Sequence, residues 1–470
     1  MAVSSCVQAS AVRAGRRAAL APILLAALAS VSVQAMTLSE ALEAARAHDP
    51  QYRAAQYELE AARQGVPIAR SVLFPQASLN YANAGVSGTK EFPNGLSQQV
   101  STRVDYESPQ TTLSLRMPLF NYEAWSRLDQ AEVQAKGAEA AFRARGLELA
   151  ERVATAYLQA LEAHAQLALA DAEVQALQQQ FERAGQRLLR GEGTRTDEAM
   201  ALAALEVARA RASDTRERVL LASARLRRLT GQAPGFVLDI LPSFRPVPSE
   251  PAGLRDWTET AMVQSPVLEA RALAVEAARL GVQRARSGHL PRVDLVGSVS
   301  RSRNDSLANL DQSSSLRSIG IQVSLPLFSG FGTTASTDQA QAELSRVEQE
   351  LRNERENVEL ELRRLMQLAD AAALRADALR KAVAAGETAV AGATRAKEGG
   401  FATQSEVLDA RSRLYASRRD LAQAQYDHLG ARMRTMLLAG EPMLKVIDRI
   451  GAELVDRIEL GPIATTTSQP

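Results

Sequence analysis

Four short stretches of the chain alternate apolar and polar residues, a period of two that is typical of β-strands with one apolar face. Their apolar positions are Ala77, Leu79 and Tyr81; Leu113, Leu115 and Met117; Val293 and Leu295; and Ile319, Ile321, Val323 and Leu325. Polar segments rich in Gly, Ser and Asn separate the two stretches of each pair, and we predict loops over residues 84–110 and 302–317. The pattern therefore predicts two β-hairpins, over residues of about 76–120 and about 292–328.

Helical periodicity follows each predicted β-hairpin. Residues 122–190 and 333–398 contain no proline, and their apolar residues recur at steps of three and four. At a rise of about 1.5 Å per residue, each segment would form a helix about 100 Å long. A break containing glycine follows each segment, and we predict return helices over about 195–230 and 404–439. Each long helix and its return therefore form a predicted helical hairpin.

A shorter helix is predicted ahead of each β-hairpin, over about Leu38–Leu73 and about Leu254–His289. Pro75 and Pro291 mark the ends of these helices, because proline disfavours helical backbone in the residue before it. The same order of helix, strand pair and helical hairpin is thus predicted twice along the chain.

The two halves also share sequence. Residues 61–79 and 277–295 have ten identical residues at a constant offset of 216, while Glu198 and Glu406 correspond at an offset of 208 because the first loop is longer. We conclude that one unit is duplicated. The predicted boundaries are a signal peptide over 1–35, a first repeat over 36–250, a second repeat over 251–442 and a C-terminal tail over 443–470, of which 461–470 is predicted to be disordered.

The N-terminus has the features of a secretory signal peptide. Three arginines precede an apolar run over residues 18–33, and small residues at Val33 and Ala35 favour cleavage after Ala35. The run is shorter than the about 20 apolar residues that a membrane-spanning helix needs. Cys6, the only cysteine, lies in this segment, so the mature chain is predicted to lack disulfides, thiolate ligands and a lipid-acceptor cysteine.

Composition narrows the classes of function. Hydrophobic residues make up 46% of the chain and aromatic residues only 4%, a mixture typical of long helices. The formal net charge of +1 gives no reason to expect nucleic acid as a partner. The four histidines are far apart, and the Gly-Phe-Gly at 330–332 lacks the third glycine of a dinucleotide-binding motif. We therefore expect no metal, no cofactor and no catalytic residues.

The predicted strands impose a requirement for several chains. A sheet in a membrane must close on itself, because lipid offers no hydrogen-bond partner to unpaired backbone groups. Two hairpins supply only four strands per chain. Oligomerisation is therefore predicted, while the pattern leaves the stoichiometry open.

The return helix of the second copy resembles a known family. Residues 400–410 read Gly-Phe-Ala-Thr-Gln-Ser-Glu-Val-Leu-Asp-Ala and continue to Leu-Tyr-Ala at 414–416, as in the TolC family. The Pro-Leu-Phe after each second strand, at 118–120 and 326–328, resembles the strand-to-helix junction of that family. The resemblance covers about residues 36–445 and is closest to the branch that works in type I protein secretion.

The resemblance implies a mainly α fold with a small transmembrane β part. Three chains would form one 12-stranded barrel in the outer membrane, contacting its lipid, above an α-helical tunnel in the periplasm. Such a homotrimer would work with a periplasmic adaptor (membrane fusion) protein and an inner-membrane ABC transporter. Its cargo would be a large secreted polypeptide, a cyclolysin-like protein toxin.

The resemblance also implies a set of site residues. Glu406 and Asp409 occupy the positions of two acids near the tunnel entrance, and Glu198 with the adjacent Asp197 is the counterpart in the first copy. Repeated around a threefold axis, these carboxylates would form a negative ring that favours cations. Acids are also common in the first turn of any helix. Ala402 replaces the family's latch arginine, and Arg195 is a possible tip latch instead.

Two alternatives remain open at this stage. The same fold would serve as the outer-membrane factor of a multidrug efflux pump, although many such relatives carry a lipid-acceptor cysteine that this chain lacks. A periplasmic adaptor or a structural coiled-coil protein without a pore would belong to another class. Adaptors have a single helical hairpin between two halves of a β-domain, whereas this sequence predicts two complete repeats.

Overall fold

The computed structural model describes most of the chain, over residues 35–93, 99–232, 236–240, 244–246, 253–306 and 309–459. Cys6 and almost all of the predicted signal peptide lie outside the described residues. The predicted disordered segment 461–470 lies outside them as well. Among the helices that are described, none combines the length and the apolar character needed to cross a bilayer.

Helices dominate the fold. They are α1 (Leu38–His48), α2 (Pro50–Ser71), α3 (Tyr122–Leu189), α4 (Arg195–Thr230), α5 (Leu254–Gln264), α6 (Pro266–Arg286), α7 (Gly332–Glu398), α8 (Gln404–Leu438) and α9 (Met443–Gly451). The strands are β1 (Ala35–Met36), β2 (Gln76–Pro93), β3 (Gln99–Phe120), β4 (Phe236–Ile240), β5 (Arg292–Ser306), β6 (Asn309–Ser324) and β7 (Leu454–Glu459). The order of helix pair, strand pair and helical hairpin occurs twice, so the predicted mainly α, duplicated fold is confirmed.

The short helices ahead of the strand pairs differ from the prediction. Each predicted single helix is two helices, α1 with α2 and α5 with α6, because a proline begins the second of each pair. The residue before each proline, Asp49 or Ser265, has extended backbone with ψ of 118° or 117°. Proline disfavours helical backbone in the preceding residue but fits the first position of a helix, which explains both breaks.

The predicted loops at 84–110 and 302–317 are wrong for the described residues. Strand β2 continues to Pro93 and β3 begins at Gln99, while β5 continues to Ser306 and β6 begins at Asn309. These outer parts of the strands carry polar residues on both faces, so they show no alternation. Their backbone groups nevertheless pair across the hairpin, from Ala84 with Ser108 to Pro93 with Gln99.

The four long strands form one antiparallel sheet in the order β2-β3-β5-β6. One face carries exposed apolar side chains, among them Leu79 at 69% and Ile319 at 81% exposure. The opposite face is polar and carries pairs of serines whose hydroxyls hydrogen-bond across neighbouring strands. These pairs are Ser78 with Ser114 at 2.7 Å, Ser298 with Ser318 at 2.8 Å and Ser302 with Ser314 at 3.2 Å.

The main hydrophobic core lies where α1, α9 and the middle of α3 meet the C-terminal half of α8. Leu149 and Leu161 of α3 and Leu429 and Met433 of α8 are fully buried. Many of the neighbouring core positions are alanines, which allow helix backbones to approach closely. They are Ala41, Ala45, Ala150, Ala154, Ala160, Ala431 and Ala439.

A second, three-stranded sheet closes this core. Strand β1 is parallel to β4, and β7 is antiparallel to β4 on its other side. The buried hydroxyl of Tyr157 donates a hydrogen bond of 2.8 Å to the carbonyl of Met36. Helix α9 buries Val446, Ile447 and Ile450 completely, and all three belong to the core that contains Met36. Within the predicted C-terminal tail, the segment 443–454 is therefore part of the core, and β7 extends the small sheet.

We predict that Gly440→Ala destabilises the fold. Gly440 has a φ of 86°, and a Cβ at this position would lie 2.4 Å from the carbonyl oxygen of Gln264. The combined strain and clash should cost about 2 kcal/mol or more and lower the midpoint of thermal unfolding, followed by the helical circular dichroism signal. Gly392→Ala is the matched control, because it lies within α7 with no atom near its Cβ and should be neutral or stabilising. Equal midpoints for the two variants would contradict the prediction.

Candidate functional site

The candidate residues surround the turns of the two helical hairpins. Gly191 joins α3 to α4 with a φ of 75°, and Gly400 joins α7 to α8 with a φ of 77°. In each turn the next residue closes the helix by donating its N–H to a carbonyl five residues back. The Glu192 N–H reaches Arg187 O at 2.8 Å, and the Phe401 N–H reaches Ala396 O at 2.8 Å. The two turns therefore have the same backbone conformation.

Threonines cap the return helices in both copies. The hydroxyl of Thr194 accepts the N–H of Asp197 at 3.1 Å, and that of Thr403 accepts the N–H of Glu406 at 3.3 Å. In the first copy the Asp197 carboxylate also accepts the N–H of Thr194 at 3.4 Å, completing a capping box. Asp197 therefore stabilises the N-terminus of α4.

The caps correct the predicted correspondence between the two copies. Gly191 matches Gly400, and Asp197 matches Glu406 as the third residue of its helix, so the offset at the turns is 209. The sequence comparison had paired Glu198 with Glu406 at an offset of 208. The turn glycine and the capping threonine set the register between the two copies. Both correspond at an offset one residue larger than that of the sequence comparison.

The structure separates the four candidate acids into two environments. Glu406 and Asp409 are exposed on the first turns of α8, and neither forms an ion pair within the described part of the chain. Glu198 is half-buried over α3, where a Cβ added to Gly185 would lie 3.4 Å from its Oε1 atom. Asp197 is half-buried in its capping box. Only Glu406 and Asp409 present both carboxylates freely to solvent.

Arg195, the predicted latch, is exposed beside the first turn and has no ion pair among the described residues. A second cation, Lys397, lies near the first hairpin turn. Burial lowers the pKa of the Lys397 ammonium at the end of α7, and the charge of Asp197 on α4 opposes that shift. The side-chain amide of Gln180 on α3 donates a hydrogen bond of 3.1 Å to the fully enclosed Gln404 at the start of α8.

A stripe of three side chains on α8 fastens the second hairpin to the first. Arg411 donates to the carbonyl of Ala176 at 3.2 Å, and the Tyr415 hydroxyl donates to the carbonyl of Ala172 at 3.2 Å. Arg419, one further turn along, pairs with Glu173 at 3.4 Å. These residues are spaced by four, so they lie on one face of α8. Burial lowers the pKa of the Arg411 guanidinium.

Glu173 is the buried centre of this contact. Its side chain is 5% exposed and lies between Arg419 of α8, at 3.4 Å, and Arg211 of α4, at 4.0 Å. One carboxylate thereby connects three long helices from both repeats. Sequence reasoning missed it because Glu173 falls beside Val174 in an ordinary helical pattern. The spacing of Arg411, Tyr415 and Arg419 was the one available signal.

Within the described ranges, no group of three or more His, Cys, Asp or Glu side chains is arranged to hold an ion. His428 is fully buried in α8, and its Nδ1 lies 3.0 Å from the carbonyl of Ala369. The arrangement is one of helix caps and inter-helix contacts.

Comparison with known proteins places the chain among membrane transport proteins. A family model described as "Outer membrane efflux protein" matches residues 41–232 and 257–441. Alkaline protease secretion protein AprF of Pseudomonas aeruginosa is 32% identical over 424 residues, covering 90% of this chain and 87% of that protein. Proteases secretion protein PrtF of Dickeya chrysanthemi is 32% identical over 429 residues, covering 90% of this chain and 92% of that protein.

The fold also has a close match among solved structures. The outer membrane protein VceC of Vibrio cholerae superposes with a TM-score of 0.74 at 20% sequence identity. The match covers 86% of this chain and 96% of that one. At this level of identity the comparison establishes a shared fold.

We predict that Glu173→Ala loosens the contact between the hairpins. The substitution leaves Arg211 and Arg419 without their buried partner, at a cost of about 2 kcal/mol, less than for fully buried cations because both arginines are partly exposed. Thermal unfolding should begin at a lower temperature than in the wild type. Glu387→Ala is the control, because it breaks an exposed pair with Arg418 and should cost under about 1 kcal/mol. A Glu173→Ala variant as stable as this control would show that the triad is dispensable.

Proposed function

Because this chain belongs to the outer membrane efflux protein family, we propose that it is the outer-membrane channel-tunnel of a type I secretion system. It conducts a large polypeptide across the periplasm and the outer membrane without altering it chemically. The chain carries out no catalytic step and needs no cofactor.

The four-stranded sheet carries this proposal. Its apolar face suits lipid, while its serine-rich face suits a water-filled interior. Strands β2 and β6 each have one edge without a partner in the described chain. Three copies would pair these edges and close a 12-stranded barrel, with the helical hairpins continuing as a tunnel into the periplasm. Closure of this kind removes the unpaired backbone groups that hydrocarbon does not tolerate.

The names of two relatives support secretion of a polypeptide. AprF and PrtF are both named for the secretion of proteases, and each covers nine-tenths of this chain. The proposed cargo is accordingly a large secreted polypeptide, of which the cyclolysin-like toxin expected from the sequence is one example. The proposed partners are a periplasmic adaptor and an inner-membrane ABC transporter.

Multidrug efflux is the second candidate, favoured by the description of the family model as an efflux protein. An adaptor or pore-free coiled coil is a poorer fit, because the family match covers both repeats. The presence of a strand pair in each repeat argues in the same direction.

We also propose that the hairpin turns form the periplasmic entrance. Glu406 and Asp409 support a negative ring because both carboxylates are exposed and lie one helical turn apart. Asp197 and Glu198 contribute less to it, since one is engaged in a cap and the other is half-buried. The exposed Arg195 remains the proposed latch, with its partner an acid on a neighbouring copy.

Single-channel recording tests the proposed entrance. The mature protein in planar bilayers should give discrete openings that select cations, and the Glu406→Ala and Asp409→Ala double variant should reduce the ratio of cation to anion permeability several-fold. The matched control replaces Asp338 and Glu356, exposed acids of α7 that have no ion pair within the described residues. It removes the same charge and should keep the wild-type selectivity.

Two results would contradict parts of this proposal. Unchanged selectivity in the Glu406 and Asp409 double variant would leave the pore standing and remove the ring. A well-folded oligomer that never opens would count against the conduit itself.

Complementation distinguishes the two candidate cargoes. Cells that retain the transporter and adaptor of a protease type I system, but lack its outer-membrane component, should export active protease when this chain is expressed. A chain lacking residues 292–324 is the control and should restore nothing, because it has lost the second strand pair. Restored drug resistance without protease export would instead support the efflux pump.

A further inference from the structure

Two arginines lie on the apolar face of the four-stranded sheet, at the edge of its apolar band. Along β5 that face carries Val293, Leu295 and Val299 and then changes to Arg301. Along β6 it carries Val323, Ile321 and Ile319 and then changes to Arg317. In both strands the change occurs on the side of the hairpin ends, away from the helices.

The pairing register brings these arginines together. Arg301 is opposite Ser315 on β6, and Arg317 is opposite Val299 on β5, so the two arginines are diagonal neighbours. Diagonal pairs on one face of a sheet are about 7–8 Å apart, within reach of long side chains. Two guanidinium groups can therefore converge on one small anion.

The same row of the sheet contains an aromatic residue. Thr111 of β3 pairs with Tyr81 on one side and with Arg301 on the other. Tyr81 is 68% exposed on the same face. Tyrosines are favoured where hydrocarbon gives way to lipid headgroups. The row through Tyr81 and Arg301 therefore has the character of a membrane interface.

Neither arginine has a partner within the described chain. Both side chains are exposed, and neither Arg301 nor Arg317 forms an ion pair there. On the adjacent strand β3, the nearest acid on this face is Glu107, which accepts a hydrogen bond of 3.3 Å from Asn83. Glu107 lies four residues beyond Thr111, about 13 Å along the strand.

The duplication shows that the fold itself does not require these arginines. In the first hairpin the equivalent positions are Gly85 and Pro109, by the offsets of 216 and 208. The pairing of Gly85 with Glu107 corresponds to that of Arg301 with Ser315. The first hairpin forms the same strand pair without any cation at these positions. The charges therefore call for an explanation outside the folding of the sheet.

We propose that Arg301 and Arg317 bind the phosphorylated headgroup of a lipid in the membrane leaflet that faces the hairpin ends. This inference rests on the proposed function, because it requires the apolar face to lie in a bilayer. Arginine side chains can lie along hydrocarbon while their guanidinium groups reach the interface, and guanidinium pairs with phosphate through two parallel hydrogen bonds. A lipid anchors its chains on the apolar band directly below, which a free anion cannot do.

The test measures lipid retained by the intact oligomer. The full mature protein in detergent is titrated with diphosphoryl lipid A, and bound lipid is counted by native mass spectrometry, which also reports assembly. Arg301→Gln with Arg317→Gln should weaken binding roughly 30-fold, the effect of removing two basic groups at a charged interface. Dephosphorylated lipid A should bind the wild type no better than it binds this variant.

Matched controls accompany the test. Arg352→Gln with Arg355→Gln removes two exposed arginines of α7 that have no ion pair in the described residues, and it should retain lipid as the wild type does. Arg301→Lys with Arg317→Lys keeps the charge without the paired hydrogen bonds and should show an intermediate loss. This variant also preserves the test if the glutamine variant fails to assemble.

Three outcomes would overturn the inference. They are undiminished binding in the glutamine variant, equal binding of the dephosphorylated lipid, and displacement of the lipid by millimolar inorganic phosphate alone. Channel recordings on the same preparations separate the two proposals. If the glutamine variant opens normally and binds lipid as tightly as the wild type, the lipid site is ruled out and the conduit stands. If the wild type binds the phosphorylated lipid more tightly than the dephosphorylated lipid but never opens, the conduit is ruled out and the lipid site stands.

Discussion

The open edges of a four-stranded sheet are the constraint on which the rest of this molecule depends. Strands β2 and β6 each leave one row of backbone donors and acceptors without a partner in the described chain. An apolar face such as the one that carries Leu79 and Ile319 is stable only in lipid, where such rows must be paired. The chain therefore depends on further copies of itself, and the duplicated plan supplies each copy with two similar strand pairs.

Long helical hairpins continue from the two strand pairs, and contacts between the hairpins hold them in register. Helices α3 and α7 span 68 and 67 residues, and each reverses at a glycine in the left-handed conformation. Alanines lie beside Leu149, Leu161, Leu429 and Met433 in the contact between the hairpins, and apolar packing of this kind specifies position weakly. Polar contacts such as Glu173 with Arg419, and Tyr415 with the carbonyl of Ala172, are directional. They fix the register that alanine packing alone would leave loose.

The sequence predicted the architecture well because periodicity and duplication act over long segments. The bounds of α3 and α7 follow from the absence of proline, and the strands follow from the alternation around Leu79 and Ile321. The errors come from local features that the long-range pattern hides. The short helices are divided because Pro50 and Pro266 begin new helices, and the strands are longer than predicted because their polar ends lack alternation. The pairing of Glu198 with Glu406 failed because only the caps reveal the register. The role of Glu173 as a contact between helices becomes visible only in the structure, which places α4 and α8 on either side of it.

The small sheet β1-β4-β7 has a consequence for the order in which the molecule can form. It joins the segment at Met36, the link between the repeats and the segment after α9, so the first and last segments that the structure describes share one core. Val446 and Ile450 belong to that core, so it can be completed only after residue 450 has been synthesised. Until then the hydrophobic core of the first repeat is incompletely packed. An incomplete apolar core favours aggregation, and a truncation that removes α9 would leave the segment at Met36 without part of its packing.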